Sequence, residues 1–153
     1  MAKKRKQIAM SEKEIWEFIQ QQKCLQVATI NKDGTPHLTT LFFGLIGNTI
    51  VFETFTKSQK IINLKRDPRI AVLLEDGNLY EELRGVSINA IAEVHSEPKK
   101  VQQIAKQVVI RNNPEVPASS LDKAAAQLAL KRSAVVVRLE KVMSWDHNKL
   151  SNK

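Results

Sequence analysis

Residues 25–45 read LQVATINKDGTPHLTTLFFGL, and this stretch decides the fold. Leu25 to Ile30 is β-prone, and Asn31-Lys32-Asp33-Gly34 is turn chemistry, because Asn, Asp and Gly tolerate the backbone angles of a tight reversal. Pro36 to Leu45 is β-prone again, so the stretch predicts a hairpin. Working outward, Gly47-Asn48 supplies a second turn into residues 49–53, which extends the hairpin to a meander of three antiparallel strands. Upstream, Ser11 followed by Glu14 is a capping-box signature, and Ile15, Phe18 and Ile19 recur at helical spacing, so residues 11–22 read as an amphipathic helix.

Downstream, residues 57–66 place Ile61, Ile62 and Leu64 among basic residues and stop at Asp67-Pro68, the pattern of a short helix ended by proline. Residues 69–75 are a nearly continuous apolar run and read as a strand buried on both faces. The clearest alternation follows. Val86, Ile88, Ala90, Ala92 and Val94 face one way and Ser87, Asn89, Glu93 and His95 the other, with Ile91 the exception. Helical spacing returns in residues 98–111 and after Leu121, and Val135, Val137 and Leu139 mark a last strand. Six strands in hairpin order, with helices inserted singly, predict a mainly β (α+β) chain built as a small, closed or partly closed antiparallel β-barrel with flanking helices. A closed barrel also removes exposed strand edges.

The totals set bounds on this picture. At 153 residues and 42% hydrophobic content the chain makes one core, which assigns residues 11–150 to a single domain and residues 1–10 to a flexible basic tail. The formal charge is +8, and setting aside the four cations Lys3, Lys4, Arg5 and Lys6 leaves +4 on the rest. That surplus suits one anionic ligand per site better than a nucleic-acid backbone, and aromatic residues are only 5%, with no RNA-binding aromatic motif. The lone Cys24 cannot form an internal disulfide, and no cluster of Cys and His suggests a metal. The N-terminal residues lack the apolar core of a signal peptide, and no apolar run reaches the roughly 20 residues of a membrane span, so the expectation is a cytoplasmic protein without membrane contact.

The most informative local site is Glu53-Thr54-Phe55-Thr56-Lys57-Ser58-Gln59-Lys60, where a strand runs into a helix N-terminus. Free amides and the positive end of the helix dipole favour an anion there, and Thr54, Thr56, Lys57, Ser58 and Lys60 add donors and charge. The bland alternative is that Thr56 or Ser58 simply caps the helix while both lysines are solvated. Arg84 stands beside Gly85, a residue that lets a flat ligand or a backbone approach closely. Ser144, Asp146 and His147 do not make a hydrolytic triad, because neighbours on an extended chain point apart. His37 and His95 are isolated, and neither a GxGxxG nor a GxxxxGK[ST] motif occurs. The residues themselves single out no catalytic acid or base.

Several segments together resemble the pyridoxamine 5′-phosphate oxidase-like superfamily, in particular its flavin/deazaflavin oxidoreductase branch. They are residues 25–41, residues 56–71 (TKSQKIINLKRDPRIA), residues 83–92, and residues 142–150 with the ending SWDHNKL. The chain departs from the superfamily's strand pattern at Asn89-Ala90. The resemblance implies a split β-barrel homodimer with two cofactor sites at the subunit interface, binding FMN or coenzyme F420. By that similarity Thr54, Thr56, Lys57, Ser58 and Lys60 hold the cofactor phosphate, and Thr39, Thr40 and Leu41 lie beside the ring. It also implies a hydride-transferring oxidoreductase acting on a small-molecule redox substrate, with the chemistry carried by the ring. Two other expectations compete with it: a carrier or sensor that binds the same ligand, or a haem-like one, without turnover, and a nucleic-acid-binding module using the basic tail.

Overall fold

The computed structural model describes residues 2–150. In chain order the elements are α1 (Ala2–Ile8), α2 (Glu12–Gln21), β1 (Leu25–Ile30), β2 (Pro36–Leu41), β3 (Gly44–Leu45), β4 (Ile50–Phe55), α3 (Gln59–Arg66), β5 (Arg69–Asp76), β6 (Arg84–His95), α4 (Pro98–Asn112), α5 (Leu121–Leu128) and β7 (Arg132–Asp146). The capping box is formed: Ser11 Oγ accepts from the Glu14 amide at 3.2 Å, and the Glu14 carboxylate accepts from the Ser11 amide at 2.6 Å. The β1–β2 hairpin turns as expected, with Gly34 at φ 86 and Asp33 accepting from the Thr35 amide.

The sheet is antiparallel and has seven strands, not six, in the order β2-β1-β5-β6-β7-β4-β3. The run expected as one strand over residues 36–45 is two. It breaks at Phe42-Phe43, where Phe43 turns fully into the core, a burial that stabilises the fold by about 2–3 kcal/mol. The two pieces then lie at opposite ends of the strand order. From Leu41 to Gly44 is three Cα steps, at most about 11 Å, so the two edges of the sheet must converge. That link curls the sheet into a barrel.

Alternation on β6 holds, with Val86, Ile88, Ala90 and Ala92 buried. β5 differs from its reading: Ile70, Val72 and Leu74 are buried, whereas Ala71 and Leu73 on the opposite face are half-buried. One face meets the barrel core, and the other is left only half-buried among the described residues. The last strand runs 15 residues and pairs along all of β6, with a bulge where Asn89 faces Lys141 and Ala90 faces Leu139, so that Glu140 is the extra residue.

A main core of Phe18, Ile19, Leu25, Phe43, Phe52, Ile61, Ile88 and their neighbours fills the barrel. A smaller one, Val51, Val101, Ile104, Ala134 and Val136, joins α4 to the outside of β4 and β7. Gly44 lets α4 come close, since a Cβ there would lie 3.0 Å from the backbone of Gln107 and Val108. Arg111 near the end of α4 donates to the carbonyls of Ile19, Gln20 and Gln22, closing the C-terminus of α2. Most of the segment expected as a flexible tail is helix α1. It is tied down just beyond its end, where the Met10 amide donates to Ser144 Oγ at 3.0 Å and Lys149 Nζ to the Ala9 carbonyl at 2.8 Å. Among the described residues no helix is long and apolar enough to cross a membrane.

Candidate functional site

Barrel closure sets the end of β2 beside the end of β4. Between them opens a cleft of ≈ 520 Å³ lined by Thr40, Leu41, Phe42, Glu53, Thr54, Phe55, Lys60 and Arg132, with Cys24, Val108, Asn112, Asn113 and Leu128 completing the wall. Four of the residues singled out in the sequence meet here: Thr40, Leu41, Thr54 and Lys60. Thr54 is buried. Lys60, in the first turn of α3, is half-buried, and burial lowers its pKa below the usual lysine value with no carboxylate to offset the loss of solvent. An ammonium in that position favours an incoming anion.

Thr39, Thr56, Lys57 and Ser58, also singled out in the sequence, are not among the residues that line this cleft. Ser58 caps α3, its hydroxyl accepting from the Ile61 amide at 3.5 Å. This leaves the amides of Gln59 and Lys60 without partners inside the helix. The Thr56 hydroxyl is engaged with Ser133 Oγ at 2.9 Å. Lys57 is exposed. On β2, Thr39 and His37 point to the inner face, opposite Val27 and Thr29. Thr39 Oγ1 and His37 Nδ1 are buried with no hydrogen-bond partner.

Arg84 is not brought to the cleft. Its guanidinium forks onto Asp76, at 2.9 and 2.6 Å, and lies 5.1 Å from the centre of the Phe18 ring. The flat group admitted by Gly85 belongs to the chain itself: a Cβ there would fall 2.2 Å from Cζ2 of Trp145, its cross-strand neighbour.

Glu53, Arg132, Asn112 and Cys24 are cleft residues to which sequence reasoning assigned no role. Glu53 is buried and bonded to Arg132 Nη1 at 2.8 Å, and the guanidinium also lies 4.2 Å from the centre of the Phe55 ring. Burial raises the Glu53 carboxyl above its ordinary range, and the Arg132 charge only partly opposes this. Arg132 arrives because it pairs with Phe55 across β7 and β4, strands 77 residues apart. A second hollow of ≈ 600 Å³ lies between α1 and β7, with Arg5, Ile8, Met143, Trp145 and His147 in its wall.

The family model for pyridoxamine 5′-phosphate oxidase matches residues 11–146, a span containing every residue of the first cleft. The chain belongs to that family. Among solved structures, a conserved hypothetical protein of Mycobacterium tuberculosis is 39% identical, with 98% of this chain and 93% of that one covered and a TM-score of 0.91. An F420 reductase matches at 23% identity over 82% of this chain and 93% of its own, TM-score 0.62. The heme storage protein HutZ of Vibrio cholerae matches at 18% identity over 87% and 94%, TM-score 0.67. The last two establish the shared split barrel of this oxidase family and nothing finer. No curated protein matches the chain.

The donor set of the cleft fits a phosphorylated flavin or deazaflavin. It offers the Lys60 ammonium, the two amides that open α3 and have no partner inside the helix, and Thr54 on the adjoining strand.

Proposed function

We propose that this chain is a flavin- or deazaflavin-binding oxidoreductase that holds FMN or coenzyme F420 in the cleft between β2, β4 and α3. The observation that carries the reading is Lys60, a half-buried ammonium with no carboxylate partner among the described residues, set beside the amides that open α3. Lys60, the Gln59 and Lys60 amides, and the hydroxyls of Thr54, Thr56 and Ser58 would grip the phosphate, with Lys57 adding charge from the rim. Among the described residues β2 pairs with β1 alone, so the far edge of the segment Thr39, Thr40 and Leu41 has backbone groups to offer the polar edge of a ring. The tricyclic ring, when bound, supplies the hydride chemistry, and the chain need supply only grip, orientation and shelter from water.

A homodimer accords with the outer face of the barrel. Met143 is exposed there, in line with Ser87 and Leu73 across the ladder, and Ala71 and Leu73 are only half-buried. A second copy would seal that surface and add a wall to each site.

Fluorescence titration with FMN and with F420, followed by steady-state reduction of small organic acceptors by the loaded protein, tests the reading. Saturable binding with turnover supports it. Binding without turnover on any acceptor leaves the ligand-carrier role, and no binding of either cofactor refutes the proposal.

A further inference from the structure

Three charged side chains line the cleft, and their balance carries information. Lys60 and Arg132 are cations and Glu53 is a carboxylate, which leaves one net positive charge. Glu53 is fixed in place. It lies opposite Ala134 in the β4–β7 ladder, its side chain only 6% exposed, with one oxygen bonded to Arg132, whose guanidinium is held in turn against Phe55. Phosphate binding alone does not call for a carboxylate there, since a neutral residue would make a stronger anion site.

We propose that Glu53 sets the charge of the ligand this cleft accepts: an anion with one negative charge, either a phosphodiester or a singly protonated phosphomonoester, in preference to a dianion. The inference rests on the reading that the cleft holds a phosphorylated flavin or deazaflavin. A monoanion neutralises the lining, whereas a dianion leaves an unmatched charge in a site partly removed from water. Glu53 is also the group placed to take up a proton if a dianion is forced in, since burial already favours its neutral form.

The groups around Glu53 leave few other proton acceptors. Arg132 pairs with it from β7; the rest of the cleft lining carries Lys60 from α3, Asn112 from the end of α4 and Asn113 just beyond it, Leu128 from α5, Thr40 from β2, and Cys24 ahead of β1. On β6, His95 shares the face by pairing with the same Ala134, and it is already held by Glu93 at 2.6 Å.

The test is binding of FMN between pH 5.5 and 8.5, with riboflavin as the phosphate-free control and F420 as the diester. A phosphomonoester loses its second proton at about pH 6. Above that, wild-type affinity for FMN should fall about tenfold per pH unit, while riboflavin and F420 show no such slope. Calorimetry at pH 8 in buffers of different ionisation heat should record uptake of about one proton with FMN. Glu53→Gln keeps an acceptor for Arg132 and should flatten the slope, so that from equal affinity at low pH it binds FMN roughly a hundredfold tighter than wild type at pH 8. If that variant does not fold, the wild-type proton count decides. Binding of FMN that is independent of pH and takes up no proton overturns the inference and leaves the phosphate site standing. Failure of all three ligands to bind overturns both.

Discussion

Replacing Lys60 with methionine removes the charge and keeps most of the apolar stem. If the ammonium grips a phosphate oxygen, the variant loses one charge-assisted hydrogen bond, about 1.5–3 kcal/mol, or roughly ten- to 150-fold in Kd. The ligand-free protein should respond in the opposite sense. Lys60 is half-buried and no carboxylate offsets its desolvation, so the charge contributes nothing to the native state, and the melting temperature of Lys60→Met should match or exceed that of wild type. The pH dependence follows from linkage. Burial lowers the Lys60 pKa in the folded chain relative to 10.5, so between the two values the unfolded chain binds more protons, and the stability contribution from this group rises with pH. Lys60→Met should lack that rise. Fluorescence titration with FMN and thermal melts from pH 7 to 10.5 read both effects. An FMN affinity within twofold of wild type, or a clearly destabilised ligand-free variant, would refute the reasoning.

Gly85→Ala puts a methyl group on the face of the Trp145 indole. It should destabilise the fold by about 1–3 kcal/mol through overpacking and shift the tryptophan emission, whereas an unchanged urea midpoint and spectrum would contradict the contact. Arg132→Met leaves Glu53 buried and unpaired, at a cost of about 3 kcal/mol near neutral pH. Burial holds the Glu53 pKa above its unfolded value, so the folded state binds the extra proton and stability is lost as pH rises through the folded pKa; urea melts should show a smaller deficit at pH 4.5 than at pH 8. Cys24 is the sole cysteine, is exposed, and lines the cleft. Saturating FMN should slow its alkylation by a bulky maleimide severalfold, and an unchanged rate would place the ligand elsewhere.

Much of this was legible because it is local. The capping box of α2, the Asn31 to Gly34 turn and the period of β6 are each encoded within a dozen residues, and each forms as read. Asn63, within the segment quoted at residues 56–71, is fully buried, donates to Thr29 Oγ1 and Asn31 Oδ1 and accepts from Gln59, which stitches α3 to β1. Arg84 shows where local reading fails. Arg-Gly at a strand start is compatible with a ligand contact, but Asp76 and Trp145, which take up the guanidinium and the space above the glycine, come from other strands. Arg132 was out of reach for the same reason, since only pairing of β7 with β4 sets it on Phe55 and Glu53.

The site and the closure of the barrel are one event. Thr40 and Leu41 end a strand at one edge of the sheet, while Glu53 and Thr54 lie on β4, next to the other edge. Nothing in the period of either strand requires them to meet. They meet because the chain passes between the two edges through Phe42-Phe43, and Phe43 is anchored on both sides: its ring is buried beneath Arg111, 4.3 Å from the guanidinium, and its carbonyl accepts from Asn112 at 3.0 Å. The residues that fix the crossing therefore sit on α4, whose C-terminal end also walls the cleft. A chain with the same anion-binding segment at 53–60 but a straight strand through 36–45 would keep the free amides and Lys60 while losing the β2 wall against which a ring could lie.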